Sequence, residues 1–252
     1  MKWRGRRRWL GTWLAAGLCI AGHAVAQGSG CQKSTFKIAL DIGHYNARPG
    51  AISARGITEF TYNRALAELV LTALKAAGFE QTFLIGESGE LMPLERRPAI
   101  ARAQHAALFI SLHHDSAQTQ YFSEWVFEGQ SHPYSDKFHG YSIFVSQSSH
   151  WAKDSLALAS LLGRALKANG LTPSLHHAEP IAGEGRTLLD PALGIYAFDG
   201  LAVLRGATMP ALLLESGLIV NRDEEQQIRS GVYHPKVVAA LVSAITQYCA
   251  RQ

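Results

Sequence analysis

Five residues spread from position 44 to position 215 of this 252-residue chain are of types that can do chemistry together: His44, Glu59, the pair His113-His114, and Glu215. Three apolar runs end on members of this set. Phe36 to His44 alternates Phe36, Ile38 and Leu40 with Lys37, Ala39 and Asp41, a β pattern that finishes on Gly43-His44. Ala106 to His113 (AALFISLH) is the continuous apolar run of a strand buried on both faces, and Ala211 to Glu215 is another. Glu59 follows a loop containing Gly, Pro and Ser, and falls in the first turn of a helical pattern. Two neutral imidazoles and one carboxylate make a zinc site that keeps an open coordination position. Water coordinated there drops toward a pKa of about 7, so hydroxide is available at neutral pH. A second carboxylate, not a ligand, takes that water's proton and later hands it to a leaving amine. The metal meanwhile polarises the scissile carbonyl and stabilises the oxyanion. This is amide hydrolysis, with Glu215 cast as the general base on the zinc-bound water.

Each residue alone has a plainer reading. A strand-end histidine is more often a hydrogen-bonded loop residue, and Glu59 could serve only as a carboxylate at a helix N-terminus. Glu215 could pair with Arg97 or Arg205. What weighs against those readings is the placement of all of them at the carboxyl edge of one sheet, where sites of open α/β folds collect.

The elements that would hold these residues alternate along the chain. After Glu59, Leu66, Leu69, Val70, Ala73 and Leu74 recur at helical spacing, with Thr58 as the expected cap and Gly78 as the stop. Phe79 to Ile85 reads as a strand, Leu94 to Gln104 as a helix, Tyr141 to Val145 as a strand and Leu156 to Leu166 as a helix. Ser116 to Gly140 is a long aromatic-, Ser- and His-rich connection, and Thr172 to Leu201 is irregular. Asp223 to Ile228 and Pro235 to Tyr248 read as the last helices. The expected fold is a single α/β domain, a mostly parallel twisted sheet with helices on both faces and the site at the C-terminal edge of the strands.

Residues 1–26 read as an export signal: Lys2, Arg4, Arg6, Arg7 and Arg8, an apolar stretch Trp9 to Ala21, then Ala24-Val25-Ala26 as a cleavage site. The apolar run is too short for a comfortable membrane span, and Arg6-Arg7-Arg8-Trp9-Leu10 resembles a twin-arginine signal. Residues 27–35 would be a linker and 36–252 the catalytic domain. The chain's charge of +4 belongs to the leader. Without it, 19 basic side chains face 20 acidic ones, which removes any argument for a nucleic-acid partner. Cys31 and Cys249 remain near the two ends of the mature chain, equally readable as a disulfide or as two free thiols.

These motifs are similar to those of a known family, the zinc-dependent N-acetylmuramoyl-L-alanine amidases of the type-3 catalytic domain. Asp41-Ile42-Gly43-His44 looks like the family's D-P-G-H motif, and Glu59, 15 residues on, stands where its second ligand lies. LFISLHHD (108–115) resembles the run ending S-I-H-A-N or S-I-H-A-D, and LAVLRGATMPALLLESGLIVN (201–221) the stretch carrying the catalytic glutamate, here Glu215. Leu94-Glu95-Arg96-Arg97 matches a structural L-x-x-R. Ile42 and Tyr45-Asn46 depart from the pattern, as does His114, an alternative ligand. Strand alternation puts His113 and His114 on opposite faces, and the motif register favours His113.

The resemblance implies one zinc ion per chain on His44, Glu59 and His113, and peptidoglycan as substrate. The bond cut would be the amide between the lactyl group of N-acetylmuramic acid and L-alanine of the stem peptide. Arg55, Arg186 and Arg205 are candidates to contact that substrate. A protein activator is an allowed partner, the location would be periplasmic or extracellular, and no membrane span is expected once the signal is cleaved. The rival readings are another exported zinc peptidase or amidase acting on soluble muropeptides, and a catalytically silent peptidoglycan-binding regulator.

Overall fold

A computed structural model of the chain describes residues 1–3 and 30–252, so almost all of the expected export signal lies outside the described residues. In chain order the elements are β1 (Ile38–Ile42), α1 (Glu59–Ala76), β2 (Thr82–Ile85), α2 (Arg96–Ala103), β3 (Leu108–Asp115), β4 (Ser123–Phe127) and β5 (Gln130–Tyr134). They continue with β6 (Ser142–Val145), α3 (Ala152–Ala168), β7 (Thr187–Asp190), β8 (Ile195–Ala197), α4 (Ala202–Arg205), β9 (Ala211–Leu218), α5 (Arg222–Arg229) and α6 (His234–Cys249). Seven strands form one sheet in the order β2-β1-β3-β9-β6-β8-β7. The pairs β1–β2, β1–β3 and β3–β9 are parallel, β6 runs antiparallel to β9, β8 is parallel to β6, and β7 closes the edge antiparallel. The mostly parallel α/β sheet expected from the sequence is therefore present.

Alternation along the buried strands divides the core in two. Ile38, Leu40, Ile42, Leu108, Ile110, Leu112, Leu212 and Leu214 pack with the apolar stripes of α1, α3 and α6. The intervening Ala39, Phe109, Ala211 and Leu213 pack with Ala101 of α2 and Val203 and Leu204 of α4 on the other face. Because the side-chain period of a strand is two, these parities fix where the polar strand-end residues go. His113 and Glu215 carry the parity of Phe109 and Leu213. His114 carries that of Leu112 and is thrown to the α1/α6 side.

The structure corrects several expectations. His113 and Glu215 do not end their strands: β3 continues to Asp115 and β9 to Leu218. Thr58 occupies the cap position of α1, but its hydroxyl pairs with that of Thr61 at 2.8 Å instead of a backbone N–H. Gly78 does close α1, at φ 96°, with Phe79 N–H donating to Leu74 O. The 116–140 connection folds into the β4–β5 hairpin around Glu128-Gly129, both at positive φ. The hairpin is pinned to the loop before α1, where Trp125 Nε1 donates to Ala54 O at 2.6 Å. The irregular 172–201 stretch contains β7 and β8.

Cys31 and Cys249 are joined as a disulfide, with Cα atoms 4.9 Å apart, and Cys31 N–H donates to Cys249 O at 2.8 Å. The chain leading into β1 is thus stapled to the end of α6. Among the described residues no helix is long and apolar enough to cross a membrane.

Candidate active site

The loop after β1 and the first turn of α1 bring His44 and Glu59 together, and β3 supplies His113. Glu59 lies between the two imidazoles: His44 Nε2 is 3.0 Å from Oε2 and His113 Nδ1 is 2.9 Å from Oε1. The three ligand atoms lie within 4.8 Å of one another, Glu59 buried and both histidines half-buried. Tetrahedral ligands held at about 2.0–2.1 Å from an ion stand about 3.4 Å apart, so the donor set fits zinc in chemistry and in spacing. The surroundings orient the carboxylate: Ala51 N–H donates to Oε2 and the Asn63 amide to Oε1, each at 3.1 Å. Asn63 is four residues after Glu59 and therefore on the same face of α1. Burial works against charge on Glu59, but hydrogen bonds to His113 and His44, and their positive charge, hold its carboxyl well below the ordinary carboxylate range.

Small residues make room for this convergence. A Cβ on Gly43 would run into the His113 ring, and one on Gly50 (φ 80°) into Glu59 and His44. His44 itself sits at φ 69°, a conformation uncommon for any residue but glycine. Arg97 holds it there. Its buried guanidinium pairs with Asp41 at 2.7 Å and donates to Ile42 O and, at 2.6 Å, to His44 O. Ser111 completes the anchor by donating to the other Asp41 oxygen at 2.7 Å. Asp41 therefore takes Arg97, and the plainer reading of Arg97 as partner to Glu215 does not hold.

Glu215 is the in-register neighbour of His113 across the β3–β9 pair. Just beyond them the register shifts, with Gly217 at φ 141° and Ser216 donating to His113 O at 3.0 Å. Such a bulge re-aims side chains next to a site. Burial, then the negative charges of Asp115 and Glu59, push the Glu215 carboxyl well above the usual range. Its Oε2 is shut away from solvent with no hydrogen-bond partner among the described residues. Glu215 lines a cavity of about 140 Å³ together with His177, Glu184 and Arg186. A half-buried carboxyl with a raised pKa beside convergent metal-binding groups is suited to carry a proton.

Sequence reading missed the polar cluster that walls this cavity. His177 donates through one ring nitrogen to Asp115 at 2.9 Å and through the other to Glu184 at 2.8 Å. Burial opposes a charged imidazole, yet these two carboxylates raise His177 to about 9. An unfolded-state histidine titrates near about 6.5, so this arrangement stabilises the fold fully below about pH 6.5. The contribution is lost as pH rises through about 9, and amounts to at most about 3 kcal/mol. Urea unfolding of the metal-free protein at pH 6 and pH 9.5 is expected to show a loss of that order, and His177→Gln to remove most of it. The same pH dependence in the variant would contradict the assignment.

The remaining candidates fall as follows. The His114 ring is buried and turned to Asn63 at 2.8 Å and His234 at 3.0 Å, so it is not one of the converging ligands, while its backbone N–H donates to Glu59 Oε1 at 3.4 Å. Arg186 stacks on Phe198 at 3.9 Å and lines the Glu215 cavity. Arg205 does not reach it: as the exposed last residue of α4, it belongs to the segment leading into the N-terminal end of β9. Arg55 is engaged with Glu225 at 2.7 Å and stacked 5.1 Å from Trp125, a structural position under the hairpin.

Comparison with known proteins agrees with this geometry. The N-acetylmuramoyl-L-alanine amidase family profile matches residues 38–247. The N-acetylmuramoyl-L-alanine amidase AmiC of Escherichia coli O6:H1 is 22% identical over 84% of this chain and 52% of its own length. The chain spans about half the length of the first curated relatives it matches. Among solved structures, the amidase Ami1 of Mycobacterium smegmatis superposes with a TM-score of 0.67 at 20% identity, covering 86% of this chain and 98% of that one. The CwlD amidase of Clostridioides difficile, solved in complex with the GerS lipoprotein, gives a TM-score of 0.62 at 19% identity over 86% and 99%.

Proposed function

The chain belongs to the N-acetylmuramoyl-L-alanine amidase family, and from that premise we propose that it hydrolyses the amide between the lactyl group of N-acetylmuramic acid and L-alanine of peptidoglycan stem peptides. The observation that carries the proposal is the convergence of His44, Glu59 and His113 one strand away from the half-buried Glu215. His44, Glu59 and His113 would hold one zinc ion per chain. When bound, zinc supplies Lewis-acid polarisation of the scissile carbonyl and makes a water acidic enough to attack it at neutral pH. Glu215 acts as general base on the attacking water and then as general acid toward the amino group of L-alanine. Its raised pKa favours the second half of that cycle, since the carboxyl keeps the proton until the amine leaves. Arg186 offers a guanidinium at the cavity wall to the anionic stem peptide.

Export to the cell envelope belongs to the same reading. The disulfide between Cys31 and Cys249 is a bond that persists in oxidising compartments, and residues 1–26 have the make-up of a cleaved leader. A protein partner, which we propose would act as an activator, has a parallel only in that CwlD was solved in complex with the GerS lipoprotein. The test is digestion of purified peptidoglycan by the mature protein, metal-free and zinc-loaded. Release of intact stem peptides with free L-alanine amino termini, in the zinc-loaded arm alone, is expected. Cleavage within the stem peptide, or at glycosidic bonds, would refute the assignment.

A further inference from the structure

Apart from His44, Glu59 and His113, one other group among the described side chains has the make-up of a cation site. Asp115 ends β3, and His176 and His177 lie in the turn between α3 and β7. The two Nε2 atoms converge on the same oxygen, Oδ2 of Asp115, at 3.5 Å for His176 and 2.9 Å for His177. These separations bracket the roughly 3.4 Å kept by tetrahedral ligands at about 2.0–2.1 Å from one ion. Each imidazole is already oriented through its other nitrogen. His177 Nδ1 bonds Glu184 Oε2 at 2.8 Å, and His176 Nδ1 bonds the Ser174 hydroxyl at 2.9 Å. Glu184 is fixed in turn by the Gln118 amide at 2.7 Å. Outer partners of this kind set tautomer and ring direction in metal sites.

The second observation is an unpartnered atom. His176 is only 3% exposed, yet its Nε2 makes no hydrogen bond among the described residues. A buried polar nitrogen is ordinarily paired, and this one is aimed at the carboxylate that its neighbour already uses. The two rings pack against each other with centroids 3.9 Å apart.

We infer that Asp115, His176 and His177 bind a divalent transition cation, zinc first, at a site separate from His44, Glu59 and His113. The donor set of two imidazoles and one carboxylate is of the borderline type such ions take. A cation bound at His177 Nε2 takes the place of the proton now shared with Asp115 Oδ2 across 2.9 Å. The ion ties the 174–186 segment to the end of β3 and so fixes the part of the Glu215 cavity lined by His177, Glu184 and Arg186. The inference is independent of the reaction assigned above.

The experiment is metal titration of the full mature protein after chelation, with Zn²⁺ and Co²⁺ as probes, read as equivalents bound per chain. Two equivalents are expected for the wild type. One is expected for His44→Ala, and one for the double variant His176→Ala/His177→Ala. A wild type that binds one equivalent, lost in His44→Ala and kept in the double variant, overturns the inference while leaving the first site intact. Should the double variant not fold, Glu184→Gln, which leaves one acceptor oxygen for both His177 Nδ1 and the Gln118 amide, is expected to weaken one of the two equivalents by about 10–100-fold. Affinities unchanged by that substitution overturn it. Anomalous scattering at the zinc edge gives an independent reading. A peak beside His176 Nε2 is expected, and its absence from crystals whose first site is filled overturns the inference equally.

Discussion

Glu215→Gln is expected to lower turnover on zinc-loaded, purified peptidoglycan by about 10²–10⁴-fold, with zinc bound at His44, Glu59 and His113 unchanged. The amide keeps the shape of the carboxyl but cannot take a proton from water or return one to the leaving amine. Stability should hold or rise. In the native chain Glu215 is enclosed beside the negative Asp115 and Glu59, with Oε2 unpaired, so removing its charge relieves a cost instead of breaking a bond. The combination of lost turnover and kept stability separates a proton carrier from a structural carboxylate, whose replacement would move both together. Activity within tenfold of wild type at neutral pH would remove Glu215 from that role.

Why was so much of the first cluster legible in the sequence? Its members sit at points that local rules identify. His44 ends a strand pattern, Glu59 opens a helical stripe, and the period of two in β3 separates His113 from His114. The structure follows that alternation, sending His114 to Asn63 and His234. The second cluster obeys no such rule. Asp115 and His177 are 62 residues apart, and they meet only because β6 and β8 are placed beside β9. The elements that bring them together are themselves quiet in sequence. β8 has three residues and β7 four, between Gly and Pro. The β4–β5 hairpin turns on Glu-Gly and not on the Asn-Gly or Asp-Gly that marks such turns. Charged side chains as well as apolar ones hide this hairpin, since its contacts are arginines over aromatic rings, such as Arg222 on Tyr134 at 3.9 Å.

Arg97→Met is expected to destabilise the fold by about 3–5 kcal/mol, the usual cost of leaving one member of a buried ion pair alone. For a chain of this size that is a fall in Tm of roughly 10 °C. Asp41 and Arg97 are both almost wholly buried, so the carboxylate left behind would have Ser111 as its one remaining hydrogen-bond partner. The effect reaches the site by a short route. The same guanidinium donates to Ile42 O and His44 O, and those two contacts brace His44 at positive φ facing Glu59. Zinc affinity at His44, Glu59 and His113 should therefore fall with stability, though Arg97 touches none of the three side chains' ligand atoms. A double-mutant cycle with Asp41→Asn separates the two contributions. The double variant should recover part of the stability, because no buried charge is left unpaired, but none of the zinc affinity, because the backbone anchor is still missing. Recovery of both would mean that the ion pair alone matters and that the carbonyl contacts position nothing.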